Sequence, residues 1–250
     1  MAEGAAGGAP GYVPTRRERA RAATVDEIKQ TALRLVRERG TTDVPFADVA
    51  RAMGMTAPAL YRYFADRDAL LTALLTDAYG DLADALAGAA AQVPEDDLGS
   101  RLLVVGRAYR DWARREPQRF ALMFGLPVPG YHAPEEGPLT EAAKRAVRNL
   151  HGLMTSAAAA GRLGPPLLTG VAEPVAQEMC ATQEGWYDDP LPADSYQAML
   201  HLWSLLQGAV TLDAYGHFDW LSEATRDALF DAQVRLGARL AGLPEPPEGA

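Results

Sequence analysis

Apolar side chains recur along this chain at three- and four-residue spacings almost from end to end, the period of helices that bury one face. The first clear set is Ile28, Ala32, Leu35 and Val36, closed by Gly40. Ahead of it, Thr24-Val25-Asp26-Glu27 has the form of a capping box, so a helix is expected to begin there. Two short helices follow: one is started by Pro45, runs through Phe46 to Met53 and is broken by Gly54. The next is capped by Thr56, with Pro58 in its first turn and Leu60 and Tyr63 inside. Asp66 caps a longer helix bearing Leu70, Leu71, Leu74, Leu75, Leu82 and Leu86. Residues 98–116, 118–125, 139–160, 172–186, 193–215 and 221–240 keep the helical period, whereas 126–138, with four prolines and two glycines, reads as a loop. Strand alternation and internal repeats are absent from the pattern. The expected class is all-α, with nine or ten helices.

Charge divides the chain. Residues 14–67 carry 11 basic and 7 acidic side chains, whereas 81–250 carry 13 and 23, within a net charge of -9. A mildly basic head on an acidic body suits a protein that meets phosphate with one part only. Cys180 is the one cysteine, so no internal disulfide is possible, as in a reducing compartment. The start of the chain has neither the basic residues nor the apolar stretch of a signal peptide, and no apolar run is long enough to span a bilayer. These features predict a cytoplasmic protein. The expected organisation is a disordered basic arm over 1–22, a helix-turn-helix domain over 23–70, a helical body over 71–243 and a disordered tail over 244–250.

The spacing between Phe46 and Tyr63 carries the chemistry. Two helices can cross closely where a small residue, Ala50, sits in the first of them. Four positions on, the turn needs positive φ, and Gly54 is there. Six further on, Leu60 locks the second helix onto the first, with Val49 and Met55 between. The second helix then offers Thr56, Ala57, Pro58 and Ala59 to a major groove. From Val49-Ala50 through Gly54-Met55-Thr56, Leu60-Tyr61-Arg62-Tyr63-Phe64 and Arg67-Asp68-Ala69-Leu70-Leu71, the chain resembles the DNA-binding domain of TetR-type repressors. The resemblance implies that Tyr61, Tyr63 and Arg67 hold phosphates and that Ala57, Pro58, Ala59 and Arg62 lie toward base edges. The basic residues Arg16, Arg17, Arg19 and Arg21 either reach the duplex or form a solvated tail. The ring of Tyr63 either belongs to the core, with its hydroxyl exposed, or faces outward. One departure is Val44-Pro45-Phe46, where the family has a Ser or Thr that caps the second helix and touches phosphate; Thr42 is a substitute to examine.

In the body, the bland reading of the many aromatic and methionine residues is core packing. The sharper one is an apolar effector pocket, with Tyr109, Trp112, Phe120, Met123, Phe124, Met179, Trp186 and Trp203 as wall residues. His151, Gln177, Gln183, His201 and Gln207 either line such a pocket or satisfy hydrogen bonds inside the core. Trp203 to Gly208 resembles a TetR subtype with Trp, three residues, then His-Gly (the WHG type), Gln207 replacing the histidine. The apolar faces Met199, Leu202, Leu206, Val210 and Leu229, Phe230, Val234, Leu236, Leu240 predict a homodimer through the last two helices. Enzyme chemistry has no support: His132, His151, His201 and His217 lack metal-ligand spacing, Cys180 has no histidine at a motif distance, and phosphate-binding glycine motifs are missing. No cofactor is expected. The expectation is a ligand-responsive repressor that binds a palindromic operator as a dimer and is released by a largely apolar effector. The alternative is a helical binding protein that has lost specific DNA recognition.

Overall fold

A computed structural model describes residues 15–40 and 43–247. These residues form ten helices and no strand: α1 (Arg16–Arg39), α2 (Phe46–Ala52), α3 (Ala57–Leu60), α4 (Arg67–Ala90), α5 (Leu98–Arg115), α6 (Pro117–Phe124), α7 (Pro138–Ala159), α8 (Glu173–Gln183), α9 (Ala193–Ala214) and α10 (Glu223–Ala241). They group into two units that divide between Leu71 and Thr72.

The first unit is built on α1 to α3 and the start of α4. Its α1 begins well before the predicted start. Thr15 caps it, accepting from the Glu18 N–H at 3.2 Å, while Glu18 Oε2 accepts from the Thr15 N–H at 2.7 Å. Thr24 lies inside the helix and donates its hydroxyl proton to the Ala20 carbonyl at 3.0 Å. The segment 16–22, expected to be disordered, is therefore helical. Ile28, Ala32 and Val36 of α1 close on Val44, Val49, Ala50, Leu60 and Phe64, all buried. Between α2 and α3 the Met55 N–H donates to the Ala50 carbonyl at 2.9 Å, and Gly54 takes φ 63°. A Cβ at Gly54 would meet nothing within 4 Å, so the backbone conformation, not crowding, calls for glycine. Asp66 receives the Ala69 N–H at 2.7 Å as α4 starts.

In the second unit α5, α7, α9 and α10 share one core, with Leu102, Trp112, Phe120, Met154, Leu202, Val210 and Val234 almost fully buried. Helices α9 and α10 approach where α10 has Gly237: an added Cβ would run into Leu202 Cδ1 and lie 3.6 Å from Leu205 Cδ2. Gly88, on α4, has open space instead. We expect Gly237→Ala to destabilise this unit by about 1–2 kcal/mol, overpacking outweighing the gain in helix propensity. Gly88→Ala should stabilise by about 0.5–1 kcal/mol. Opposite shifts in denaturant midpoint test the pair.

Two expectations for this unit are corrected. The predicted dimer faces are largely internal: Met199, Leu202, Leu206, Val210, Phe230 and Val234 are buried within one chain, because α9 and α10 turn these sides toward each other and toward α5. The tail is ordered as far as it is described: Leu243 and Pro246 are buried, Glu245 meets Arg239 at 2.8 Å, and its carbonyl crosses so close to Gly99 that no side chain would fit there.

Candidate nucleic-acid interface and ligand cavity

In the first unit, Leu60 anchors α3 at 0 % exposure, and the chain then turns through Tyr61, Arg62 and Tyr63, with the Tyr63 N–H donating to the Leu60 carbonyl at 2.9 Å. Thr56, Ala57, Pro58, Tyr61 and Arg62 are exposed, and Ala59 and Tyr63 half-buried. Thr56 holds the N-cap position through its backbone alone; its hydroxyl makes no cap bond. Arg21, on α1, donates to the Arg62 carbonyl at 3.0 Å and lies 5.1 Å from the centre of the Tyr63 ring. The start of α1 is thereby moored to the turn that presents the tyrosines. The side chains of Arg16, Arg17, Arg19 and Arg62 are exposed and have no partner among the described residues. Arg67 is half-buried and already bound by Asp43, with Asp68 at 3.5 Å, so a phosphate would have to displace a carboxylate. Asp48 is bound by both Arg39 and Arg51, whose hydrogen bonds and charges, led by Arg39, hold its carboxyl below the ordinary range.

The departure at Val44-Pro45-Phe46 has a structural outcome. Pro45 occupies the N-cap of α2 and offers no side-chain bond, while the Phe46 ring leans on Tyr61, centroids 5.1 Å apart at 51°. An apolar brace for the tyrosine stands where the family has a polar cap. Thr42 lies outside the described residues.

The second unit has a partly open cavity of about 430 Å³, in the range of small-molecule sites. Of the residues nominated for it, Tyr109, Phe124, Trp186 and Trp203 line it. Trp112 and Phe120 are core, the Phe120 ring lying tilted against Tyr109 at 50° and Phe124 at 51°. Met123 faces a second, neighbouring hollow under the 126–137 loop, which shares Tyr79 and Trp186 with the first. Met179 is outside the lining, and its carbonyl accepts from Thr182 and Gln183. Gln183 is fully buried and works as a staple: it accepts from the Leu191 N–H at 2.8 Å and donates to the Leu191 carbonyl at 3.0 Å. His151 lies behind the wall, stacked flat on Tyr187 at 3.8 Å, and burial lowers its pKa. Gln207 also lies behind the wall and accepts from the Tyr109 hydroxyl. Gln177 bonds Glu173 at the surface, and His201 is exposed.

Tyr79, Tyr187, Tyr196, Asn149 and Thr182 line the cavity without having been nominated. Burial raises the phenol pKa at Tyr79 and Tyr109, and at Tyr187 to about 12, so all stay protonated at neutral pH. The described residues contain no group of His, Cys, Asp and Glu that could hold a metal, and no helix long and apolar enough to cross a membrane.

Comparison with known proteins follows the same division. Residues 28–74 match the family model described as bacterial regulatory proteins, tetR family, and residues 102–236 match the tetracyclin repressor-like C-terminal domain. The chain is 34% identical over 226 residues to the HTH-type transcriptional regulator Mb1846 of Mycobacterium bovis, covering 88% of this chain and 93% of the relative. The HTH-type transcriptional regulator Rv1816 of Mycobacterium tuberculosis matches to the same extent. Among solved structures, the putative regulatory protein SCO4313 is 35% identical with a TM-score of 0.67, over 89% of this chain and 98% of that one.

Proposed function

Since this chain belongs to the TetR family of helix-turn-helix transcriptional regulators, we propose that it is a repressor, binding a palindromic operator as a homodimer and released by a small molecule in the cavity of its second unit. The observation that carries the reading is the exposed pair Tyr61 and Arg62 on a turn fixed by buried Leu60, Arg21 and the Phe46 ring. Hydroxyls and guanidinium groups so held can position a duplex through its phosphates, with Ala57, Pro58 and Ala59 small enough to approach base edges. Arg16, Arg17 and Arg19 add cations along α1.

Two such heads on one dimer engage successive major grooves about 34–36 Å apart. The exposed apolar side chains Leu212 on α9 and Leu236 on α10 support pairing through the outer faces of these helices. One helix, α4, carries both Arg67 and the cavity residue Tyr79. A ligand releases DNA to the extent that it binds the DNA-free arrangement more tightly than the bound one, and no further. An enzymatic role has no part in this reading, since the relatives are regulators.

Fluorescence anisotropy on the intergenic DNA beside the gene tests it. Arg67→Ala should weaken binding about tenfold and flatten the salt dependence by about one unit of slope. Its pairing with Asp43 is partly exposed, so the same change should cost at most about 1 kcal/mol of stability. Tyr61→Phe, which removes only a hydroxyl, should weaken binding about five- to tenfold across sequences. Unaltered affinity in both variants removes these contacts from the proposal.

A further inference from the structure

We propose that the cavity selects an uncharged aromatic molecule that donates a hydrogen bond to Tyr109 Oη. This rests on reading the cavity as the effector site and adds what that site requires of its occupant.

The wall has no Asp, Glu, Lys, Arg or His. Lys144, whose Nζ sits 5.8 Å from the centre of the Trp186 ring, is outside the lining and is engaged by Glu141 at 3.1 Å. An ion entering would shed part of its water and find no opposite charge in the wall to replace it. The aromatic rings of Tyr109, Phe124, Trp186, Tyr187, Tyr196 and Trp203 offer flat faces and edges, a surface suited to another ring.

The polar requirement comes from a relay behind the wall. Gln207 Nε2 donates to Thr211 Oγ1 at 3.1 Å, and the Tyr109 hydroxyl donates to Gln207 Oε1. A phenol has a single proton. With that proton committed to Gln207, Tyr109 Oη can only accept, so a ligand gains this contact by bringing an O–H or N–H. The hydroxyls of Tyr79, Tyr187 and Tyr196 have no hydrogen-bond partner among the described residues and can answer an acceptor elsewhere on the ligand.

Three compounds on one skeleton separate these claims: 2-naphthol, 2-methoxynaphthalene and 2-naphthoate. Binding to the full chain is read by tryptophan fluorescence, Trp186 and Trp203 both lining the cavity, and by the thermal midpoint. The naphthol should bind at least tenfold more tightly than the ether, and the naphthoate at least a hundredfold more weakly than the naphthol. Gln207→Leu releases the Tyr109 proton, so the ether should gain until the two neutral compounds differ by less than threefold. Tyr109→Phe should level them as well, by weakening the naphthol. Melting of each variant without compound checks its fold, and the comparison in the parent protein stands without either variant.

Tight naphthoate binding overturns the charge argument. Equal binding of naphthol and ether in the parent, or discrimination that survives Gln207→Leu, overturns the donor argument. Failure of all three to bind at millimolar concentration overturns both. Discriminating binding that leaves operator DNA bound counts against the cavity as a regulatory site while sustaining the ligand class.

Discussion

Asp213→Ala should lower the unfolding free energy of the second unit by about 3–5 kcal/mol, the range found when one partner of a buried ion pair is removed. The Asp213 side chain is 4% exposed and receives Arg110 at 3.0 Å and Arg114 at 2.6 Å, joining α9 to α5. Arg110 is equally buried and, when Asp213 is lost, keeps Asp227, at 2.8 Å, as its one carboxylate among the described residues. Burial pushes the Asp213 carboxyl pKa up, but the hydrogen bonds and charges of Arg114 and Arg110 together outweigh it and leave the value below normal. A depressed folded value means the contribution is complete at neutral pH. It is lost only as pH falls below the ordinary aspartate value of about 3.9 and through the lower folded one. The exposed pair Arg34–Glu38 is the contrast: at 3.0 Å on the surface of α1, its removal through Glu38→Ala should cost about 0.5 kcal/mol or less. Urea titrations of the two variants at pH 7 check the difference. An Asp213→Ala loss under 1 kcal/mol would mean that the arginines find other partners.

Leu236→Glu should weaken operator binding by about a hundredfold or more while leaving the fold intact. Leu236 is 51% exposed on α10, so a charge there disturbs little within one chain. If α9 and α10 pair with their copies, the glutamates would be buried against apolar partners and the dimer would separate. Each head would then bind alone, and the advantage of a linked second site, on the order of 10²–10⁴, would vanish. Sedimentation should give a monomer for the variant and a dimer for the parent at micromolar concentration. A dimeric Leu236→Glu that still grips DNA moves the interface elsewhere.

Periodicity alone carried the all-helical class and the positions of most helices, because a buried stripe is written at fixed intervals. The turn at Gly54 and the lock at Leu60 were legible for the same reason: their spacing is local. The start of α1 was misplaced because Thr15-Arg16-Arg17-Glu18 and Thr24-Val25-Asp26-Glu27 have the same capping form. Only the upstream one caps the helix, the downstream one being interior to it. The faces of α9 and α10 were recognised as apolar, but a stripe does not say whether its partner is the same chain or another. The cavity was harder still. Gln183 and Tyr187 are four residues apart, yet one staples a backbone strand of loop and the other forms wall, a distinction set by the path of residues 184–192. Tyr79 was hidden among the leucines of α4.

That Arg16, Arg17 and Arg19 sit on a wound helix has a thermodynamic consequence. A floppy arm would have to freeze its torsions at the moment it met a duplex, and that loss would subtract from affinity. Here the backbone torsions of these residues are those of α1 itself, and the positive charges are spaced along a rod.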